Sequence, residues 1–306
     1  MTAANPDLSV SIGDLRLKNP VMTASGTFGY GLEYAELFDI SRLGAVVIKA
    51  ATVQPRVGNP PPRIVETAAG MLNAIGLQNA GAEAIIAEKL PALAEYHVPI
   101  IVNLAGEAVD EYVQLAEMFS ACDHVAAIEL NISCPNVKDG MTFGTSAQLT
   151  GQLVAQVRQV TGLPLITKLS PNVTDIVEIA KAAADAGSDA LSTINTLLGM
   201  SIDVERRRPL LGNLTGGLSG PAIKPVALRC VWQVYEHVQV PIIGMGGIMD
   251  TNDVLEFIMA GASAIAVGTA TFVNPTAGIE IVEGLEAYLA AHDLADVNSL
   301  VGAAHK

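Results

Sequence analysis

Residues 126–136 read AAIELNISCPN, and this stretch decides the fold. Ala126 to Leu130 reads as a buried strand, after which the chain turns polar at Asn131, Ser133, Cys134 and Asn136. An apolar strand ending in amides and a thiol is the pattern of a barrel strand that delivers chemistry at its C-terminal end. Pro135 has no N–H to give to a ladder, so pairing is expected to stop there and leave Cys134 at the mouth of a loop. The following NVKDGMTFGT is expected to fold over a site as a lid. A free cysteine is more often a small buried hydrophobe than a reactive group. The place of Cys134 just past a strand end favours reactivity, whereas Cys122 and Cys230 fall in helical patterns and keep the ordinary reading.

Working outward, the same rhythm repeats along the chain. Short apolar strands are expected at 21–25, 45–50, 99–104, 126–132, 164–169, 190–195, 241–246 and 264–269, each followed by a helical segment. The clearest helical periodicities cover 107–121, 146–161, 174–186, 224–238, 251–260 and 276–291. Eight strand–helix alternations argue for a parallel sheet buried on both faces, and eight is the number that closes an α/β TIM (β/α)₈ barrel. Residues 8–17 alternate around Gly13-Asp14 and predict an N-terminal β-hairpin outside the main sheet, as a plug or cap. No linker composition interrupts the pattern, so residues 1–306 are expected to form a single barrel domain. The connections 51–79 and 197–223 are too long for simple loops and are expected to extend over the C-terminal face and build a site.

Composition narrows the function. Lys and Arg total 17 against 31 Asp and Glu, a formal net charge of −14, and the basic residues form no run beyond Arg206-Arg207-Arg208. Nucleic acid is therefore not an expected partner, and the acidity reads as solubility. No apolar run is long enough for a membrane span and no signal-peptide pattern opens the chain. Three scattered cysteines make neither a disulfide framework nor a zinc pattern, so no metal and a reducing, cytoplasmic setting are expected.

Most expected strands end on a polar residue or glycine: Ser25, Lys49, Asn103, Asn131, Lys168, Asn195 with Thr196, Gly246 with Gly247, and Gly268 with Thr269. Packing alone does not explain such a ring, because each amide or ammonium must be solvated or paired. The two lysines in so acidic a chain point to an anionic or electron-rich ligand. The glycines after the last two strands fall where barrels bind phosphate through backbone N–H groups. GMGG lacks the spacing of a dinucleotide fingerprint. The residues alone describe a barrel, a phosphate-bearing ligand, an asparagine-rich site for a planar molecule and one reactive thiol.

The motifs ASGTFGYG (24–31), GNPPPR (58–63), GMLNAIGLQN (70–79), ELNISCPNVK (129–138), ITKLSPN (166–172), INT (194–196), GGLSGPA (216–222), GMGGI (244–248) and AVGTA (266–270) together resemble the dihydroorotate dehydrogenases, most closely their NAD⁺-linked type. The resemblance runs in order over nearly the whole chain. It implies an FMN-bearing barrel that oxidises dihydroorotate to orotate in pyrimidine synthesis, with Cys134 as catalytic base. It implies FMN contacts at Ser25, Lys49, Ala50, Asn103, Asn131, Lys168 and Ile194, with Gly220, Gly246, Gly247, Gly268 and Thr269 at the ribityl phosphate end. It implies substrate contacts at Lys49, at Asn73, Ala74, Ile75, Gly76 and Leu77, and at Asn131, Asn195 and Thr196. It further implies a partner subunit carrying FAD and a [2Fe–2S] cluster, in a heterotetramer of two catalytic and two electron-transfer chains. The loop after Cys134 reads KDGMTFG where relatives often carry paired glycines. The rival readings are a fumarate-linked homodimer, a dihydropyrimidine-reducing relative and a non-redox barrel. The membrane-bound quinone-linked type is disfavoured by the cysteine where that type is expected to carry serine.

Overall fold

The centre of the molecule is made of short runs that are apolar on both faces. In the computed structural model, which describes residues 6–133 and 143–305, these runs are the strands β1 (Val21–Thr23), β2 (Val46–Ala51), β3 (Ile100–Leu104), β4 (Ala127–Asn131), β5 (Leu165–Leu169), β6 (Ala190–Thr193), β7 (Ile242–Met245) and β8 (Ala264–Val267). All pairings between them are parallel, in the order β1-β8-β7-β6-β5-β4-β3-β2. The ends of that order meet. Met22 bridges to Ala45 just before β2, and the Gly44 N–H donates to the Val21 carbonyl at 2.8 Å. The sheet thus closes on itself, as the strand count predicts.

Helices follow six of the strands: α1 (Val109–Ser120), α2 (Ala147–Val160), α3 (Ile176–Asp185), α4 (Lys224–Tyr235), α5 (Thr251–Met259) and α6 (Ala277–Ala291). Each buries one apolar stripe against the barrel, for example Tyr112, Leu115, Ala116 and Phe119 of α1. Side-chain caps fix three of the starts. Ser146 accepts from the Leu149 N–H, Asp175 from that of Val177, and Asp250 from those of Asn252 and Asp253. Among the described residues no helix is long and apolar enough to cross a membrane.

The N-terminal hairpin pairs Val10–Ile12 with Leu15–Leu17 and buries Val10, Ile12 and Leu17. Removing Ile12 and Leu17 from water stabilises the fold by roughly 1.5–3 kcal/mol each. Its turn at Gly13 lies over Asp189, which immediately precedes β6. The hairpin therefore caps the N-terminal end of the barrel, opposite the strand ends that carry the polar ring.

The two long connections are not open loops. They supply a four-stranded antiparallel sheet in the order Leu197–Met200, Thr215–Ser219, Gly70–Asn73, Ile64–Thr67. One face packs Leu72, Ala74 and Leu211 into a small core with Val65 and Leu218. The other face presents Ile64, Met71, Asn73 and Ser219 to the barrel mouth. Of the two cysteines expected in helices, Cys230 lies buried in α4. Cys122 instead follows the C-cap of α1, half-buried, with its Sγ on the Met118 carbonyl at 3.4 Å. Burial pushes both thiols above their ordinary pKa, helped at Cys122 by the neighbouring Asp123.

Candidate active site

A cavity of about 400 Å³ opens at the C-terminal ends of the barrel strands, within the range that holds a cofactor or small ligand. Of the residues expected at a cofactor, Ser25, Lys49, Ala50, Asn131, Lys168 and Ile194 line it, as do Gly220, Gly246, Gly247, Gly268 and Thr269. Of those expected at a substrate, Asn73 to Leu77, Asn195 and Thr196 line the same space. Asn103 is fully buried on β3, beneath the residues that line the cavity. Cys134 and most of the expected lid lie outside the described residues.

The amides are held before any ligand arrives. The Asn195 Nδ2 donates to the Ser133 Oγ at 2.9 Å and to the Asn131 Oδ1 at 3.3 Å, while the Thr196 N–H donates to the Asn195 Oδ1 at 2.8 Å. The Ser133 N–H also donates to the Asn131 Oδ1, at 3.3 Å. With its oxygen engaged, Asn131 keeps its Nδ2 as a donor. The backbone behind it is fixed as well, by the Tyr112 hydroxyl donating to the Asn131 carbonyl at 2.7 Å.

Beside these amides, Gly76 (φ 76) and Leu77 (φ 56) are consecutive left-handed residues. Such a turn aims successive N–H groups the same way and suits an anion such as a carboxylate. Lys49 stands nearby, half-buried in the same wall. Desolvation holds its ammonium below the ordinary pKa, and the positive charge of Arg63 adds to the effect, against a smaller opposite pull from Glu33. Among the described residues the Lys49 ammonium has no ion-pair partner, and a bound anion would offset its desolvation.

At the far end the chain backbone forms a cradle. Gly247 has φ 81, and a Cβ on it would sit 2.7 Å from the Lys224 nitrogen and 2.9 Å from the Gly220 carbonyl oxygen. Only glycine allows this approach of two backbones. The Lys224 side chain is already paired, with Asp253 at 2.7 Å and Glu256 at 2.9 Å, and both contacts raise its pKa. A phosphate in the cradle would therefore be met by backbone N–H groups rather than by that ammonium.

Beneath the cavity lies a polar layer. Glu129 is 2 % exposed; its Oε1 accepts from the Asn103 Nδ2 at 2.6 Å and its Oε2 from the Ser192 Oγ at 2.7 Å. The Lys168 Nζ stands 3.9 Å from Oε1 and 3.4 Å from the Ser25 Oγ. The Asn103 Oδ1 is buried with no hydrogen-bond partner among the described residues. An orphaned acceptor, a cation at the wall and a glycine cradle fit a planar ring that offers an N–H and carries a phosphate tail. The sequence reading treated β4 as apolar and assigned Glu129 no role. The signal was present, since Glu129 and Asn131 share the inward side of one strand. Met71, Met245, Ser219 and Phe272 also line the cavity without having been singled out. Among the described residues no group of three or more His, Cys, Asp or Glu side chains is placed to hold a metal ion.

Fold and site together define an α/β-barrel protein whose mouth offers a glycine cradle, two lysines and pre-held amides to a ligand. The profile of the dihydroorotate dehydrogenase family matches residues 7–289. The chain is 60 % identical over 299 residues to the "Dihydroorotate dehydrogenase B (NAD(+)), catalytic subunit" of Desulforudis audaxviator, covering 97 % of each chain. It is 58 % identical over 299 residues to the protein of the same name from Geotalea uraniireducens (97 % and 98 % covered). It is 60 % identical over 299 residues to that of Trichlorobacter lovleyi, with the same coverage. The chain belongs to the dihydroorotate dehydrogenase family, and with it to the flavin-dependent oxidoreductases.

Proposed function

We propose that this chain oxidises dihydroorotate to orotate in pyrimidine biosynthesis, that its flavin is FMN, and that its electrons pass to NAD⁺ through a partner subunit. The observation that carries the reading is one cavity combining a phosphate cradle, two lysines and a ring of pre-held amides. Full-length relatives named as the NAD⁺-linked catalytic subunit favour this acceptor over the fumarate-linked alternative.

The chain's own residues account for binding and orientation. Gly220, Gly246, Gly247, Gly268 and Thr269 hold the FMN phosphate end, and Ser25, Lys49, Ala50, Asn131, Lys168 and Ile194 border its ring. The Gly76–Leu77 turn and Lys49 take the substrate carboxylate. Asn73, Asn131, Asn195 and Thr196 match the ring amides of dihydroorotate, because each amide side chain offers both a donor and an acceptor. Cys134 serves as the base that takes the C5 proton. Lys168 places positive charge where the reduced ring gains negative charge. Bound FMN supplies the hydride acceptor for C6, a chemistry no side chain offers.

The described residues include two of the chain's three cysteines, and an iron–sulfur cluster needs four ligands. Electron transfer to NAD⁺ is thus assigned to a second subunit with FAD and a [2Fe–2S] cluster, in a heterotetramer of two chains of each kind. The experiment is an NADH assay. The isolated FMN-loaded chain is expected to oxidise dihydroorotate with an artificial dye but to form NADH poorly until the iron–sulfur flavoprotein is added. Robust NADH formation by the chain alone would remove the need for a partner. Strong fumarate reduction would move the chain to the homodimeric type.

A further inference from the structure

The polar layer below the cavity makes a carboxylate the centre of a network that the proposed reaction does not use. Glu129 lies one inward position deeper than Asn131 on β4 and is buried from solvent. Its neighbours come from three other strands: Asn103 from β3, Lys168 from β5 and Ser192 from β6. A carboxylate removed from water is costly unless it is paired and hydrogen-bonded, and here donors reach both of its oxygens.

Two consequences follow from what a carboxylate can do. It can only accept, so the Asn103 amide must turn its Nδ2 toward Glu129. That leaves the Asn103 Oδ1 as a buried acceptor without a partner among the described residues. The carboxylate also stands 3.9 Å from the Lys168 ammonium, which in turn reaches the Ser25 hydroxyl at the cavity wall. Glu129 therefore offsets part of the positive field that Lys168 presents to the cavity.

We propose that Glu129 is a positioning residue for the flavin: it fixes Asn103 as an acceptor and tempers the charge of Lys168, and so sets the electron affinity of the bound ring. The proposal rests on the flavin reading above and goes beyond it, because neither the reaction nor the binding of the phosphate end requires an acid at this depth.

The test is the midpoint potential of the flavin bound to the purified chain, measured by reductive titration against a reference dye. Glu129→Gln keeps the shape of the side chain and removes its charge. The midpoint is expected to rise, because Lys168 then stabilises the added negative charge of the reduced ring without opposition. Lys168→Met removes the opposing charge and is expected to shift the midpoint the other way, downward, because the two charges act on the ring as a sum. Ser192→Ala serves as the milder variant should Glu129→Gln fold poorly. It strips one hydrogen bond from the carboxylate, leaves its charge less shielded, and is expected to lower the midpoint slightly. An unchanged midpoint in a folded, flavin-loaded Glu129→Gln chain, with a change in melting temperature alone, would overturn the proposal. So would a midpoint that moves in the same direction in Lys168→Met as in Glu129→Gln. A wild-type chain that binds no flavin would instead refute the functional reading itself, and absorbance near 450 nm separates the two failures before any titration begins, as expected of a bound flavin.

Discussion

Gly247→Ala tests the phosphate cradle most directly. The new methyl would meet the Lys224 nitrogen at 2.7 Å, its Cβ at 2.8 Å and the Gly220 oxygen at 2.9 Å. Two of these three atoms are backbone, so a side-chain rotation cannot clear them. The left-handed φ of 81 adds roughly 1–2 kcal/mol for an L side chain. Overpacking of this kind costs a further ~1–3 kcal/mol. The total of about 2–5 kcal/mol corresponds to a melting temperature lower by roughly 3–8 °C in a chain of this size. The displaced backbone is the cradle itself, so flavin content per chain should fall further than stability alone explains. Gly162→Ala is the control, since nothing lies within 4 Å of a Cβ there and its φ is not left-handed; it is expected to be neutral or slightly stabilising. The assay pairs absorbance of the bound flavin with the melting temperature of the flavin-free chain. A Gly247→Ala chain with full flavin content and an unchanged melting temperature would refute the close backbone approach.

Cys134→Ser is expected to retain flavin and bind orotate while the rate at which dihydroorotate bleaches the flavin falls by ~10²–10⁴-fold at neutral pH, as for loss of a general base; rapid-mixing absorbance measures it, and wild-type-like bleaching rules the base out. In native protein near pH 7.5, an alkylating reagent should modify Cys134 well ahead of Cys122 and Cys230, whose thiols burial holds in the protonated form; mass spectrometry after partial labelling decides. Because the ammonium of Lys49 loses its proton below the ordinary lysine pKa of 10.5, orotate affinity should weaken with rising pH sooner than an ordinary lysine would cause. Lys49→Arg should flatten that alkaline limb, and an unchanged pH profile of orotate binding would argue against contact with the carboxylate. Lys49→Ala should impair both orotate binding and flavin reduction in steady-state and rapid-mixing assays. Lys181→Ala, on the exposed face of α3, should alter neither.

The barrel was legible because parallel strands buried on both faces leave unbroken apolar runs such as IIV at 100–102 and AIAV at 264–267. The glycines after β7 and β8 and the lysines near the C-terminal ends of β2 and β5 were legible for the complementary reason, since residues of those types stand out against an apolar strand. The four-stranded sheet was not. Gly70–Asn73 and Thr215–Ser219 read GMLN and TGGLS, which are poor in β-branched residues, and they pair across more than 140 positions. The burial of Asn103 beneath the cavity was not legible, because the tilt of barrel strands, not the position along one strand, decides which layer a side chain joins. Glu129 went unassigned for a related reason. Its partners on β3, β5 and β6 become its neighbours only when these four strands pair in register and the sheet curves.

The hairpin and the C-terminal segment meet at the capped end of the barrel. The Asp7 N–H donates to the Ala295 carbonyl at 2.8 Å, the Val297 N–H returns to the Asp7 carbonyl at 3.0 Å, and the Asn298 side chain holds the Ser9 carbonyl at 2.9 Å. A short tether across this junction would allow circular permutation, with new ends opened at the exposed Gly162 between α2 and β5. The catalytic mouth would keep every neighbour it has now. The order of assembly would not. Pairing of β8 with β1, now separated by most of the chain, would become a local event, while β4 and β5 would have to find each other from opposite ends. Since distant pairings slow folding more than they alter stability, comparing folding rates of the two forms would show which seam of the barrel closes last.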